Sequence, residues 1–265
     1  MRPRLYLPAL CAAFLAACQT VPYTGRSRVL LISPAEEMKL GRDAYAEVLK
    51  KDKVSSDRDN VELIRKVGRR LAKVADRPDF QWEFNLIEDE KQINAFCLPG
   101  GKVAFYTGIL PVTSGEDGIA VVMSHEISHA LARHGAERMS QGLLANTGGQ
   151  VLGAVLGGPG ASQATSKVYQ QVYGLGAGLV VLGYSRKQES EADHIGLILM
   201  QKAGYDPEAA VAFWGRMTTA TEGKGKHGSG PLDKFLSTHP PSQERQAQIR
   251  AWIPEVKSKY PNVSP

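Results

Sequence analysis

A chain of 265 residues, 43% hydrophobic and 22% charged, is long enough to bury a core without disulfide staples and too apolar to be disordered. The formal charge is +5 and falls to +3 once Arg2 and Arg4 are set aside. Lys and Arg are dispersed along the chain, which argues against a nucleic-acid partner.

Residues 1–17 read as a leader. Met1-Arg2-Pro3-Arg4 is a basic start, and the apolar run Leu5 to Ala17 is too short for a mature membrane-spanning helix. Leu15-Ala16-Ala17-Cys18 resembles the lipobox of bacterial lipoproteins. That resemblance implies cleavage before Cys18 and lipid on its thiol and amine. With Gln19 next, it also implies an outer-membrane anchor facing the periplasm, so the membrane is a partner through the N-terminal lipid. Cys11 leaves with the leader and Cys18 carries lipid, so Cys97 stands alone and no internal disulfide is expected. Between Phe96 and Leu98, Cys97 reads as a small buried apolar residue.

Residues 18–32 read as a linker and 33–265 as one domain. Ser33-Pro34 followed by Glu36-Glu37 predicts a helix start, with a cap, a first-turn proline and acids against the dipole. A second amphipathic helix runs from about Asp59 through Val61, Ile64, Val67, Leu71 and Val74. Trp82, Phe84 and Leu86 alternate, predicting a strand over 81–87. Residues 93–96 and 102–106 predict two more strands around Pro99-Gly100-Gly101. Everything after Pro111 reads as helix, including a Gly-rich stretch over 142–183 taken as a buried helix pair or a flap. Residues 222–230 read as a flexible loop. Helices, a small sheet, then helices make this an α+β fold: a mostly helical domain with a small sheet beside its central helix.

That helix carries the chemistry. His125-Glu126-Ile127-Ser128-His129 sits in an apolar run, and residues four apart share one helix face, so both imidazoles can bind one metal. Glu126 is placed to act as general base on water, and zinc suits such a donor set. The metzincin continuation is absent, since Ala132 and Gly135 stand where its Gly and His belong. His134, about 140° round the helix from His129, does not share the metal face and reads as a surface or supporting residue. A third ligand is available in Ser185-Arg186-Lys187-Gln188-Glu189-Ser190-Glu191-Ala192-Asp193, where either glutamate could reach the metal. Glu189 and Asp193 share a face, so Asp193 could orient a metal-bound imidazole, leaving Glu191 solvent-facing or paired with an arginine.

The H-E-x-x-H motif, followed some sixty residues later by S-R-x-x-E-x-x-A-D, resembles the HtpX-like and CAAX-prenyl-protease-like gluzincin metallopeptidases, here in a periplasmic lipoprotein form. Two further segments share the resemblance: Asn94 to Val103, and Thr238-His239-Pro240-Pro241-Ser242 with Arg245. Cys97 departs from the strand motif, where a small apolar residue should serve equally. The resemblance implies one zinc ion per chain on His125, His129 and Glu189, and a zinc endopeptidase acting on unfolded or misassembled envelope proteins. It also places His239 and Arg245 at the cleft as oxyanion stabilisers, or His239 as a regulatory fourth ligand. A latent zinc protein working mainly as an assembly factor for outer-membrane proteins is the alternative. The strand Lys102-Val103-Ala104-Phe105-Tyr106 is expected to offer its edge to an extended substrate.

Overall fold

The structure is a computed structural model and describes residues 18–145, 184–221 and 230–263. The stretches 146–183 and 222–229, expected to be a helix pair or flap and a loop, lie outside the described residues. In chain order the elements are β1 (Cys18–Thr20), β2 (Ser27–Val29), α1 (Pro34–Lys51), α2 (Arg58–Val74), β3 (Glu83–Ile87), β4 (Ala95–Leu98) and β5 (Lys102–Tyr106). They continue with the single turn α3 (Leu110–Thr113), α4 (Glu116–Leu131), α5 (His134–Ala145), α6 (Arg186–Lys202), α7 (Glu208–Thr221), α8 (Pro231–Thr238) and α9 (Gln243–Lys259). The α+β class expected from the sequence is the class observed.

The chain divides into two compact units, residues 1–40 with 131–182 and residues 41–130 with 183–265. In the first, β1 and β2 form an antiparallel hairpin within the stretch read from sequence as a linker. Val21, Leu30 and Ile32 are buried there, and Arg26 makes a bidentate ion pair with Glu137 of α5 at 2.6 and 2.7 Å. Arg133, held at a left-handed φ of 50°, donates to Glu37, Gln19 and the Ile32 carbonyl. Its guanidinium therefore closes the turn between α4 and α5 onto the start of α1. Ser33 accepts from the Glu36 amide and caps α1, as the Ser-Pro-x-Glu pattern requires.

In the second unit, α2 is capped by Asp57, which accepts from the Asn60 amide. Its apolar stripe (Ile64, Val67, Leu71 and Val74) is buried, each such side chain contributing roughly 1.5–3 kcal/mol. Gly68 belongs to that stripe because the Phe84 ring occupies the space a β-carbon would need. The sheet order is β3-β5-β4, parallel between β3 and β5 and antiparallel between β5 and β4. Gly100 and Gly101, at φ of 87° and 80°, reverse the chain in the β4–β5 turn.

This order corrects one expectation. β5 is the central strand, buried at every position and bonded on both sides, so Lys102 to Tyr106 present no edge to a substrate. Sequence alternation finds strands, but which strand ends up in the middle depends on pairings that adjacent residues do not encode. The outer strands are β3 and β4. The α4 helix is buried from Gly118 to Leu131, as an apolar circumference demands. Its Ser124 and Ser128 hydroxyls are satisfied by backbone carbonyls one turn back. No described helix is long and apolar enough to cross a membrane.

Candidate metal centre

Three elements of the second unit and the residue that follows α8 build the site. On α4, His125 and His129 lie one turn apart with their Nε2 atoms 3.1 Å from each other. Helix α6 reaches them because Gly196 packs against α4, where a β-carbon would stand 3.3 Å from Ser124 Oγ and 3.4 Å from the His125 nitrogen. A Ser185–Gln188 capping box starts α6 one residue before Arg186 and so fixes Glu189 in its first turn. The Glu189 oxygens lie 3.4 Å from each histidine Nε2.

His239 follows α8 and brings its Nδ1 within 3.1 Å of Glu189 Oε2 and 3.3 Å of His125 Nε2. Ligand-capable atoms of His125, His129, Glu189 and His239 all lie within 4.8 Å of one another, and all four residues are buried. Glu126 is buried beside them, its Oε1 3.5 Å from His239 Nε2. Asp193, one turn beyond Glu189, lies 3.0 Å from His125 Nδ1.

Arg245 reaches the site from the first turn of α9. Ser242 caps α9 and accepts from the Arg245 amide, setting the side chain in the first turn. Its Nε and Nη2 donate to Asp193 at 2.6 and 2.7 Å, and Nη1 lies 3.3 Å from both Glu189 and the Pro240 carbonyl. The guanidinium stacks 3.5 Å over the Trp214 ring. Its donors engage Asp193, Glu189 and the Pro240 carbonyl, so Arg245 positions the acids that face the histidines. Glu191 is buried, not solvent-facing, and stands outside the cluster. His134 is fully buried at the start of α5, likewise outside it.

Two residues were missed. Tyr184 stacks on His129 at 3.8 Å, and Trp214 of α7 stands edge-on to His125 at 6.1 Å. Tyr184 could have been suspected from its place directly before the capping serine. Trp214 carries no local signal, because Phe213-Trp214 reads simply as core.

The electrostatics follow from crowding buried charges. Burial works against ionisation of Glu189 and Asp193, but the histidines for the first and Arg245 for the second outweigh it and hold both below the usual carboxylate range. Burial likewise opposes charge on His125, yet Glu189 and Asp193 raise it to about 9. Burial raises Glu126, only partly countered by His239 and His125. The Cys97 thiol is pushed up by burial and by the nearby Glu126 charge, so it stays neutral, as a buried apolar residue should.

Two carboxylate atoms, Glu126 Oε1 and Glu189 Oε1, are buried without a hydrogen-bond partner. Such atoms are costly unless something cationic or protic meets them. Two imidazoles, a carboxylate and a further imidazole converging on one point form a donor set that fits zinc.

Residues 59–253 match peptidase family M48. The chain belongs to that family. It is 38% identical over 242 residues to the "Mitochondrial metalloendopeptidase OMA1" of Schizosaccharomyces pombe, covering 90% of this chain and 67% of the relative. The Saccharomyces cerevisiae protein of the same name is 30% identical over 252 residues, 90% of this chain and 70% of its own length. The "Beta-barrel assembly-enhancing protease" of Escherichia coli is 30% identical over 242 residues, and the match takes in 48% of that longer protein. M48 members are zinc-dependent peptidases, and this M48 chain is a zinc metalloendopeptidase.

Proposed function

We propose that zinc sits on His125, His129 and Glu189, that Glu126 is the general base, and that unfolded envelope proteins are the substrates. The observation that carries this is the convergence of the four buried donors beside a buried carboxylate with an unpartnered oxygen. Held by His125, His129 and Glu189, zinc would supply Lewis acidity for the carbonyl and for water. Glu126 Oε1 takes the proton of the attacking water and returns it to the leaving amine, a role suited to a carboxyl whose pKa is raised. Asp193, clamped by Arg245, accepts from His125 Nδ1 and holds the ring so that Nε2 faces His129, Glu189 and His239. The outer strand β4 replaces β5 as the substrate edge. The Tyr106 amide donates to the Asn94 carbonyl, so by alternation Phe96 and Leu98 bond β5 and the Cys97 carbonyl and amide face outward, near Glu126.

Cys18 carries lipid in this reading, anchoring the protein to the outer membrane on its periplasmic face. The lipobox-like leader supports it, as does similarity to a bacterial relative whose name refers to β-barrel assembly. A second reading, a latent enzyme acting as an assembly factor, is favoured by one observation: His239 Nδ1 lies inside the donor cluster, where a fourth ligand would close the site. Cleavage of unfolded casein by the parent and by Glu126→Gln, each assayed for zinc, tests both. Turnover by the parent alone, lost on chelation, supports the protease. Zinc in both without turnover, restored by His239→Ala, supports the latent form. Absence of zinc from both rejects the site.

A further inference from the structure

The β3 side of the sheet carries a second feature, made wholly of residues 65–85. A groove of about 840 Å³ runs between α2 and the strand. Arg65, Arg69 and Lys73, spaced by four residues and therefore on one helix face, line it. Arg77 joins them, its guanidinium 3.7 Å over the Phe80 ring. The opposite wall is an aromatic ladder. Phe80 and Trp82 are 5.2 Å apart, and Trp82 stacks on Phe84 at 6.0 Å with 7° between the ring planes.

The strand itself has an open side here. Glu83 donates its amide to Gly101, which turns residues 83 and 85 toward β5. Leu86 accepts from the Ser55 amide on the other side, so by alternation the Phe84 amide and carbonyl face away from the sheet. An antiparallel bridge between Val54 and Ile87 already covers the far half of this edge with the chain's own backbone. The half beside Trp82 and Phe84 continues the same line.

The cations are held only by exposed partners. Glu62 lies 3.0 Å from Arg65 and 3.7 Å from Arg69, and Asp79 pairs with Arg77. Pairs of this kind contribute little and exchange readily. Asp76 and Glu83 also stand in the groove wall, Glu83 paired with Lys102. Carboxylates interspersed among the cations suit a ligand with spaced negative charges better than a continuous polyphosphate or a lipid surface. The groove's concavity and the free strand edge also suit an extended chain. We propose that this groove docks an extended polypeptide segment bearing spaced acidic side chains, which adds as a strand beside Phe84 while its carboxylates meet Arg65, Arg69 and Lys73. A substrate or partner with such a segment would be held by the sheet edge opposite β4.

The test is fluorescence anisotropy of a labelled decapeptide alternating Glu and Val, titrated with full-length protein carrying Glu126→Gln so that nothing is cut. The peptide should bind, a Lys-for-Glu version should not, and Arg69→Glu with Lys73→Glu should weaken binding about tenfold. Both substituted residues lie on the solvent side of α2, and an unchanged melting temperature will show that the fold is intact. No binding of the acidic peptide, equal binding of the lysine version, or equal binding by the double variant would overturn the proposal. Binding of phosphatidylglycerol vesicles in its place, lost in the double variant, would overturn it by assigning the groove to a membrane. In the active background, the two substitutions should raise KM for an acid-bearing peptide and leave an acid-free one unchanged. If neither peptide is cut, the protease reading fails while the binding result stands.

Discussion

Two of the places where the second unit gathers charged side chains obey different arithmetic. Around His125 the charges are buried and share atoms: Arg245 serves Asp193 and Glu189 at once, and Glu189 faces three histidines. Along the Arg65–Arg69 face of α2 the charges are exposed and loosely paired, with Glu62 serving both arginines and Arg65 at 44% and Glu62 at 60% side-chain exposure. In the first place water cannot replace a lost partner, so every deletion strands a charge. In the second water replaces it at once, so each pair contributes little and the whole surface remains available to a ligand. Density of ion pairs therefore does not distinguish a site from a surface. Convergence of buried donors on one point does.

The sharpest way to break this comparison is at the general base. Glu126→Gln should lower turnover about a thousandfold while zinc content stays at that of the parent, measured by casein cleavage and metal analysis. Asp193→Asn leaves Arg245 short of an acid and His125 short of a carboxylate acceptor, and zinc affinity should fall about 10–100-fold in a chelator competition.

A third test uses the pH linkage. In the metal-free protein the His125 pKa is about 9, above the ordinary 6.5, so at pH 7 the ring is protonated. Zinc requires the neutral ring, so binding at pH 7 should release about one proton from this residue. Calorimetry in buffers of different ionisation enthalpy reads that number, and it should diminish as the pH is raised through 9. By the same sign, His125 stabilises the metal-free fold below about pH 6.5 and loses that contribution as pH rises through its folded value.

Smaller effects belong to packing and surface. Gly68→Ala forces the Phe84 ring to move and should cost about 1–3 kcal/mol in chemical denaturation. Glu62→Ala removes the exposed partner of Arg65 and Arg69 and should change stability by less than about 0.5 kcal/mol. A large loss at Glu62 would mean that the α2 surface is not the weakly paired face described.

Much of the site was legible because its signals are local. The four-residue spacing of His125 and His129 and the shared face of Glu189 and Asp193 are both properties of single helices. The resemblance then joined segments far apart in sequence. What it could not convey was how donors are shared: the Arg245 guanidinium reaches Asp193 and Glu189 at once. Strand order was hidden for a similar reason, since only long-range pairing decides that β5 is central. The hairpin of β1 and β2 was invisible because its strands are three residues each, below the length at which alternation can be read.

The donors at positions 125, 129, 189 and 239 are separated along the chain by 4, 60 and 50 residues. An ion gripping them is thus also a knot in the chain's topology. It ties long loops shut that the unfolded polypeptide would leave open, much as a crosslink does. The chain's resistance to heat should then rise with the free zinc around it, by about 1.4 kcal/mol for each tenfold increase above saturation. In a zinc-poor compartment this peptidase would lose its activity and that increment of stability together.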